Sequence, residues 1–100
     1  MHPAEVELAV EEITHGEAVL IDVRRDEEWG MGHAEPAIHF SSERLLLNGK
    51  LPKIDKDKKI YLYCVSGGRA GRVKTALINH GYTNAQNLGG LHDWFSAGGK

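Results

Sequence analysis

The stretch Ile60-Tyr61-Leu62-Tyr63-Cys64-Val65-Ser66-Gly67-Gly68-Arg69-Ala70-Gly71 decides the fold. Its opening residues are continuously apolar or aromatic. That is the pattern of a strand buried on both faces of a parallel sheet, not the alternation of a half-exposed strand. Gly67-Gly68 supplies a turn. The segment running on to His80 carries Val73 and Leu77, with the small Ala70 and Ala76, for the packed side of a helix that Gly81 stops. A buried strand, a glycine turn and a helix together predict an α/β domain.

Upstream the pattern repeats. Val6, Ala9, Val10 and Ile13 form one helical stripe between Pro3 and Thr14, with Glu5, Glu7, Glu11 and Glu12 mostly opposite. Val19-Leu20-Ile21-Asp22-Val23 reads as a second doubly buried strand. Asp26 is placed to cap a short helix through Trp29, which Gly30-Met31-Gly32 breaks. Ala37 to Phe40 reads as a brief strand, followed by a short helix capped by Ser41 or Ser42 and carrying Leu45, Leu46 and Leu47. Asn48 to Lys59 contains Lys50, Lys53, Lys56, Lys58 and Lys59 and is expected to be mainly a solvated surface loop. Ala85 to Leu88 makes a fourth strand. The alternation predicts a parallel sheet with helices on both faces, and the 100-residue length predicts one domain.

Composition narrows the function classes. The single cysteine excludes an intramolecular disulfide scaffold. A formal charge of -2 with interspersed signs leaves no electrostatic footprint for nucleic acid or anionic membrane. No apolar run approaches the roughly 18 residues of a membrane span, and no signal peptide opens the chain. The expected location is cytoplasmic, or periplasmic if a signal peptide has been removed. The six histidines (2, 15, 33, 39, 80 and 92) lack metal-ligand spacing, so no metal and no cofactor is expected.

In parallel-sheet folds, ligands sit beyond the carboxyl ends of strands, where loops meet helix N-termini. Cys64 to Gly71 occupies that address. Unpaired amides and the positive helix end favour an anion there. The same field lowers a thiol pKa from about 8.5 toward the reactive band, provided the sulfur faces the amides. Arg69 adds a fixed charge and a fork of donors. The alternative is a Cys64 that merely fills the core as a small hydrophobe. Two glycines and an arginine behind it favour the nucleophile.

The segment Cys64 to Ala70 resembles the active-site loop of rhodanese-like sulfurtransferase domains: cysteine, two residues, glycine, one residue, arginine, then serine or alanine. Leu20-Ile21-Asp22-Val23-Arg24 with Glu28-Trp29, then Gly32-His33, resemble the family's earlier blocks. Gly81-Tyr82-Thr83, Asn87-Leu88-Gly89-Gly90-Leu91 and Trp94 resemble its C-terminal block. The likeness runs in colinear order from about Ala18 to Trp94. It implies one rhodanese-like domain over residues 1–100, a sheet of four to five parallel strands with helices on both faces, and strand order fourth, third, first, second. The Gly-Tyr-Thr and Gly-Gly-Leu-His-Asp endings, and an N-terminal helix where the family's usual first strand would lie, resemble the small phage-shock-type members.

The resemblance further implies a thiosulfate sulfurtransferase. Cys64 would take sulfane sulfur from thiosulfate or another persulfide donor and pass it to cyanide or a thiol acceptor. The amides of Val65, Ser66, Gly67, Gly68 and Arg69 would bind the transferred sulfur, and the Arg69 side chain would orient the anionic donor. The partners implied are small molecules, with no nucleic acid and no membrane, and the chain is expected to act as a monomer. Asp22 and Arg24 are expected to be structural, with Glu28 as the carboxylate partner of Arg24. His33 is expected to be a hydrogen-bonded structural residue, and Trp29 and Trp94 packing anchors. Ser66 and Arg72 are additional candidates to assist an anionic donor.

Three departures from the family pattern stand out. Pro36 replaces a frequent glycine, Val65 a frequent arginine, and Ala70 a frequent hydroxyl residue. The Val65 and Ala70 departures make the loop less cationic and less polar. The competing readings are a non-catalytic rhodanese-like module that binds a partner or senses redox state, and a cysteine phosphatase or arsenate reductase. The latter enzymes place five residues between cysteine and arginine, whereas four separate Cys64 from Arg69, and Tyr63 stands where they carry histidine.

Overall fold

Strand β3 (Ile60–Cys64) is buried along its whole length. Its side chains alternate between two cores: Ile60, Leu62 and Cys64 face one, and Tyr61 and Tyr63 the other. The continuous apolar run is therefore the signature of a central strand covered on both sides. The computed structural model describes residues 1–100 and places β3 third in a four-stranded parallel sheet. Its neighbours are β1 (Val19–Asp22) and β4 (Ala85–Gly90), and β2 (Ile38–His39) forms the edge beside β1. Read from β4, the order is fourth, third, first, second, as expected.

Helices cover each face. On one side, α3 (Ser42–Leu46) and α4 (Gly68–Asn79) bury Leu45, Ala70, Val73 and Leu77 against Ile21, Val23, Ile60, Leu62 and Cys64. On the other, α1 (Pro3–Thr14) and α5 (Leu91–Ser96) bury Val6, Ala9, Ile13 and Trp94 against Leu20, Tyr61, Tyr63 and Leu88. A Leu- or Ile-sized side chain so buried contributes roughly 1.5–3 kcal/mol of transfer free energy. Pro3 opens α1, where its missing N–H costs nothing, and the Glu5 carboxylate accepts from the His2 amide at 3.1 Å.

Several boundaries differ from the sequence expectation. β1 ends at Asp22 and β2 holds only two residues. In α2 (Asp26–Gly30), Arg25 occupies the N-cap position and Asp26 is the first helical residue, because the Glu28 carboxylate accepts from the Arg25 amide at 3.0 Å. Ser41 is the N-cap residue of α3, but its side chain makes no capping bond. β4 runs two residues past Leu88, and α5 was not anticipated. A register shift opposite Leu62 and Tyr63, which pair with Asn87 and Gly89, carries β4 along the end of β3 and brings Gly89 and Gly90 beside Tyr63 and Cys64.

Candidate active site

Cys64 closes β3, and the chain turns at once over its sulfur. Gly67 adopts φ +100°, a left-handed conformation that glycine takes without a Cβ penalty. Its amide donates to Cys64 Sγ at 3.0 Å. Burial of Cys64 pushes its thiol pKa up. The amides of Ala70, Gly67, Ser66 and Arg69 push it down and win, so the thiol lies below its ordinary value. Of the expected Val65 to Arg69 amides, those of Ser66, Gly67 and Arg69 are among these four and those of Val65 and Gly68 are not, while Ala70 lies one residue beyond that span. Gly68 begins α4, while Val65 and Ser66 are exposed at the loop surface.

The bulged end of β4 holds the loop from behind. Asn87 Nδ2 donates to Gly67 O at 2.9 Å, and its Oδ1 accepts from the Gly89 amide at 3.0 Å. A Cβ on Gly67 would touch Gly89 and Asn87, and one on Gly90 would drive into the Val65 carbonyl. These supports escaped sequence reasoning. The Asn87-Leu88-Gly89-Gly90 run was visible only as part of a resemblance, and nothing local says that it packs behind Gly67.

The arginines are partnered differently from the expectation. Arg24 pairs not with Glu28 but with Asp22, Nη2 to Oδ2 at 2.9 Å, with Nε 3.1 and 3.0 Å from the two carboxylate oxygens. Its Nη2 also donates to Gly32 O at 2.6 Å. The short Asp22–Arg24 spacing at a strand end lets the guanidinium fold back on the carboxylate. Tyr63 OH donates to Asp22 Oδ2 at 2.6 Å and accepts from the Ala34 amide at 3.0 Å. Burial and the Asp22 carboxylate push the Tyr63 phenol far above its ordinary range, so it remains a neutral donor.

Glu28 takes Arg69 instead, at 2.6 Å to Nη1 and 3.0 Å to Nη2. This fork ties α2 to the active loop and neutralises the side chain expected to meet the donor. Arg69, outweighing partial burial and aided by the Arg25 amide, holds the Glu28 carboxyl down at about 2. A depressed folded-state pKa gives stability that is complete above the ordinary value of 4.5 and is lost as pH falls through about 2. Urea denaturation of Glu28→Gln beside the unaltered protein should show a deficit at neutral pH that shrinks below pH 4.5 and is gone near pH 2. A deficit independent of pH would show that the pair contributes no charge-dependent stability.

His33 is the structural residue expected: its Nδ1 lies 3.0 Å from Trp29 O. Trp94 is a core anchor, but Trp29 is not. The Trp29 indole is only half-buried and stacks on the rings of His33 and His39, with centroids 3.4 and 4.8 Å away. Ser66 and Arg72 both lie at the surface near the loop.

Comparison with known proteins adds an independent measure. The rhodanese-like domain family profile matches residues 5–97. The thiosulfate:glutathione sulfurtransferase of Saccharomyces cerevisiae is 32% identical over 93 residues, covering 81% of this chain and 67% of that protein. A tRNA uridine(34) hydroxylase of Hamiltonella defensa is 33% identical over 84 residues, covering 80% of this chain but only 24% of that longer protein. The solved structure of a rhodanese with anions from E. coli superimposes with a TM-score of 0.62 at 32% identity, covering 76% of this chain and 89% of that one.

Proposed function

Because this chain belongs to the rhodanese-like domain family, we propose that it is a sulfurtransferase that moves sulfane sulfur from thiosulfate, or another persulfide donor, through a Cys64 persulfide to cyanide or a thiol. The observation that carries the reading is the Cys64 sulfur at a strand end, bonded by the Gly67 amide at 3.0 Å and held below its ordinary pKa in spite of burial. The Cys64 thiolate attacks the outer sulfur of thiosulfate. The sulfur–sulfur bond of the donor breaks, and sulfite leaves with the electron pair. The terminal sulfur of the resulting persulfide sits in the ring of loop amides, which stabilise its charge as an oxyanion hole stabilises oxygen. An acceptor nucleophile then attacks that terminal sulfur, and Cys64 departs as the thiolate. Cys64 is the single cysteine of these 100 residues, so none of them offers a second thiol to unload the persulfide.

Intact mass after thiosulfate treatment tests the first half-reaction. A one-sulfur adduct that a thiol reductant removes is expected, and a persistently unmodified thiol overturns the reading in favour of a binding module. Gly90→Ala tests the loop geometry, because its Cβ would collide with the Val65 carbonyl. Thiocyanate formation should fall about tenfold or more while the far-ultraviolet spectrum is kept, since sub-ångström misplacement of reacting groups is costly. Gly30→Ala, whose Cβ meets nothing within 4 Å, serves as the neutral control. Equal turnover in the two variants would mean that β4 does not hold the loop in its working shape.

A further inference from the structure

Beside the edge strand lies a cleft of about 720 Å³ that the sulfur chemistry does not use. Its apolar side is formed by Ile38, half exposed on β2, together with Leu51 and Ile54 of the loop that follows α3. Its polar lining includes Arg44, Lys50 and Lys53, and it contains no carboxylate. None of the three cations belongs to an ion pair of the chain. The Arg44 guanidinium rests over the Phe40 ring at 4.6 Å, which holds it at the cleft. In a chain of formal charge -2, this is a local concentration of unpaired positive charge around apolar surface.

Position ties the cleft to the sulfur site. His39, at the end of β2, pairs with Asp22, and Asp22 pairs with Tyr63, the residue before Cys64. The rim of the cleft at His39, the carboxyl end of β2, therefore lies two strand spacings, about 10 Å, from Tyr63, while its Leu51 to Ile54 side runs back toward the amino ends of β3 and β4, where Tyr82 OH donates to Pro52 O. We propose that this cleft docks an extended acidic segment of a sulfur-accepting partner protein, its carboxylates on Arg44, Lys50 and Lys53 and its apolar side chains on Ile38, Leu51 and Ile54. The inference rests on the sulfurtransferase reading and names the acceptor class for it. The partner's cysteine thiolate attacks the terminal sulfur of the Cys64 persulfide. A sulfur–sulfur bond forms on the partner, the Cys64 bond breaks, and its electron pair returns to the Cys64 thiolate. The match of apolar floor to cationic rim favours a peptide over a bare inorganic anion, and charge complementarity speeds encounter and sets orientation.

The probe is a heptapeptide alternating glutamate and leucine and ending in cysteine, compared with its lysine-for-glutamate counterpart. Both are offered to the persulfidated protein at low ionic strength, with cyanide as the small acceptor in parallel. Transfer to the acidic peptide should be about tenfold faster than to the basic one, and high salt should erase the preference. The double substitution Lys50→Glu with Lys53→Glu should abolish the preference and leave cyanide turnover unchanged. Equal rates for the two peptides, or a preference that survives the double substitution, overturns the docking surface while the sulfurtransferase reading stands. Absence of cyanide turnover in the unaltered protein overturns that reading instead, and fluorescence anisotropy of the labelled acidic peptide then decides the cleft by itself. Self-association that the double substitution abolishes, seen by sedimentation velocity, would assign the cleft to a second copy of this chain and overturn the partner segment.

Discussion

Cys64→Ser is expected to reduce thiocyanate formation from thiosulfate and cyanide to the uncatalysed background, a loss of more than about 10⁴-fold, with the fold retained. The substitution is nearly isosteric, so the Gly67 amide can still donate to the new oxygen where it now meets Cys64 Sγ at 3.0 Å. What disappears is the chemistry. The loop amides hold the thiol pKa below its ordinary value, but a hydroxyl starts several units higher and is a poor nucleophile toward sulfur. It also cannot form the sulfur–sulfur bond that stores the transferred atom. Thermal melting within a few degrees of the unaltered protein, with no one-sulfur adduct, is the expected pair of results. Turnover that survives Cys64→Ser would remove the mechanism.

The largest stability effect is expected at Asp22. Its carboxylate is fully buried and accepts from the Arg24 amide at 2.8 Å, from the Arg24 guanidinium, and from Tyr63 OH. Asp22→Ala leaves Arg24, itself buried, with Gly32 O as its remaining internal acceptor and strands the Tyr63 hydroxyl proton. Removing one partner of a buried ion pair costs about 3–5 kcal/mol, because the surviving charge has neither water nor counterion. For a domain of this size each kcal/mol lowers the melting temperature by about 4–8 °C, so the midpoint should drop by roughly 12 °C or more. Asp26→Ala is the comparison, since the Asp26 side chain is 89% exposed and should cost little. Urea denaturation that places Asp22→Ala within 1 kcal/mol of the unaltered protein would overturn the buried-pair account. The effect should reach the site as well, because Tyr63 immediately precedes Cys64.

The sequence showed the elements whose signals are local. The doubly buried runs at Leu20 and Leu62, the stripe of α1 and the glycine turn after Cys64 were all readable, because strand burial and helix periodicity repeat over a few residues. The end of β4 and helix α5 were not. The fourth strand is expected to end at Leu88, and only packing beside the active loop makes Gly89 and Gly90 strand residues. The lysine run shows the same division. Lys59 reaches Glu12 of α1 at 2.8 Å and Lys56 lies 5.8 Å from the Tyr82 ring centroid, whereas Lys50 and Lys53 line the edge cleft. One stretch expected to be mainly a solvated surface loop thus serves three surroundings.

The lone cysteine, its place at the end of a buried strand and the glycine-rich turn toward a helix were determined by sequence alone. Each depends on residues within a few positions of one another, where backbone preference and apolar periodicity act. Tertiary structure decided which charges meet. Arg69 is neutralised by Glu28 from 41 residues away, and Arg24 turns to Asp22 while Tyr63, also 41 residues distant, completes that buried cluster. Asn87 reaches Gly67 across 20 residues. Hydrogen bonds and ion pairs act over about 3 Å, and such distances between remote residues exist only after the strand order β2-β1-β3-β4 has been set by burial.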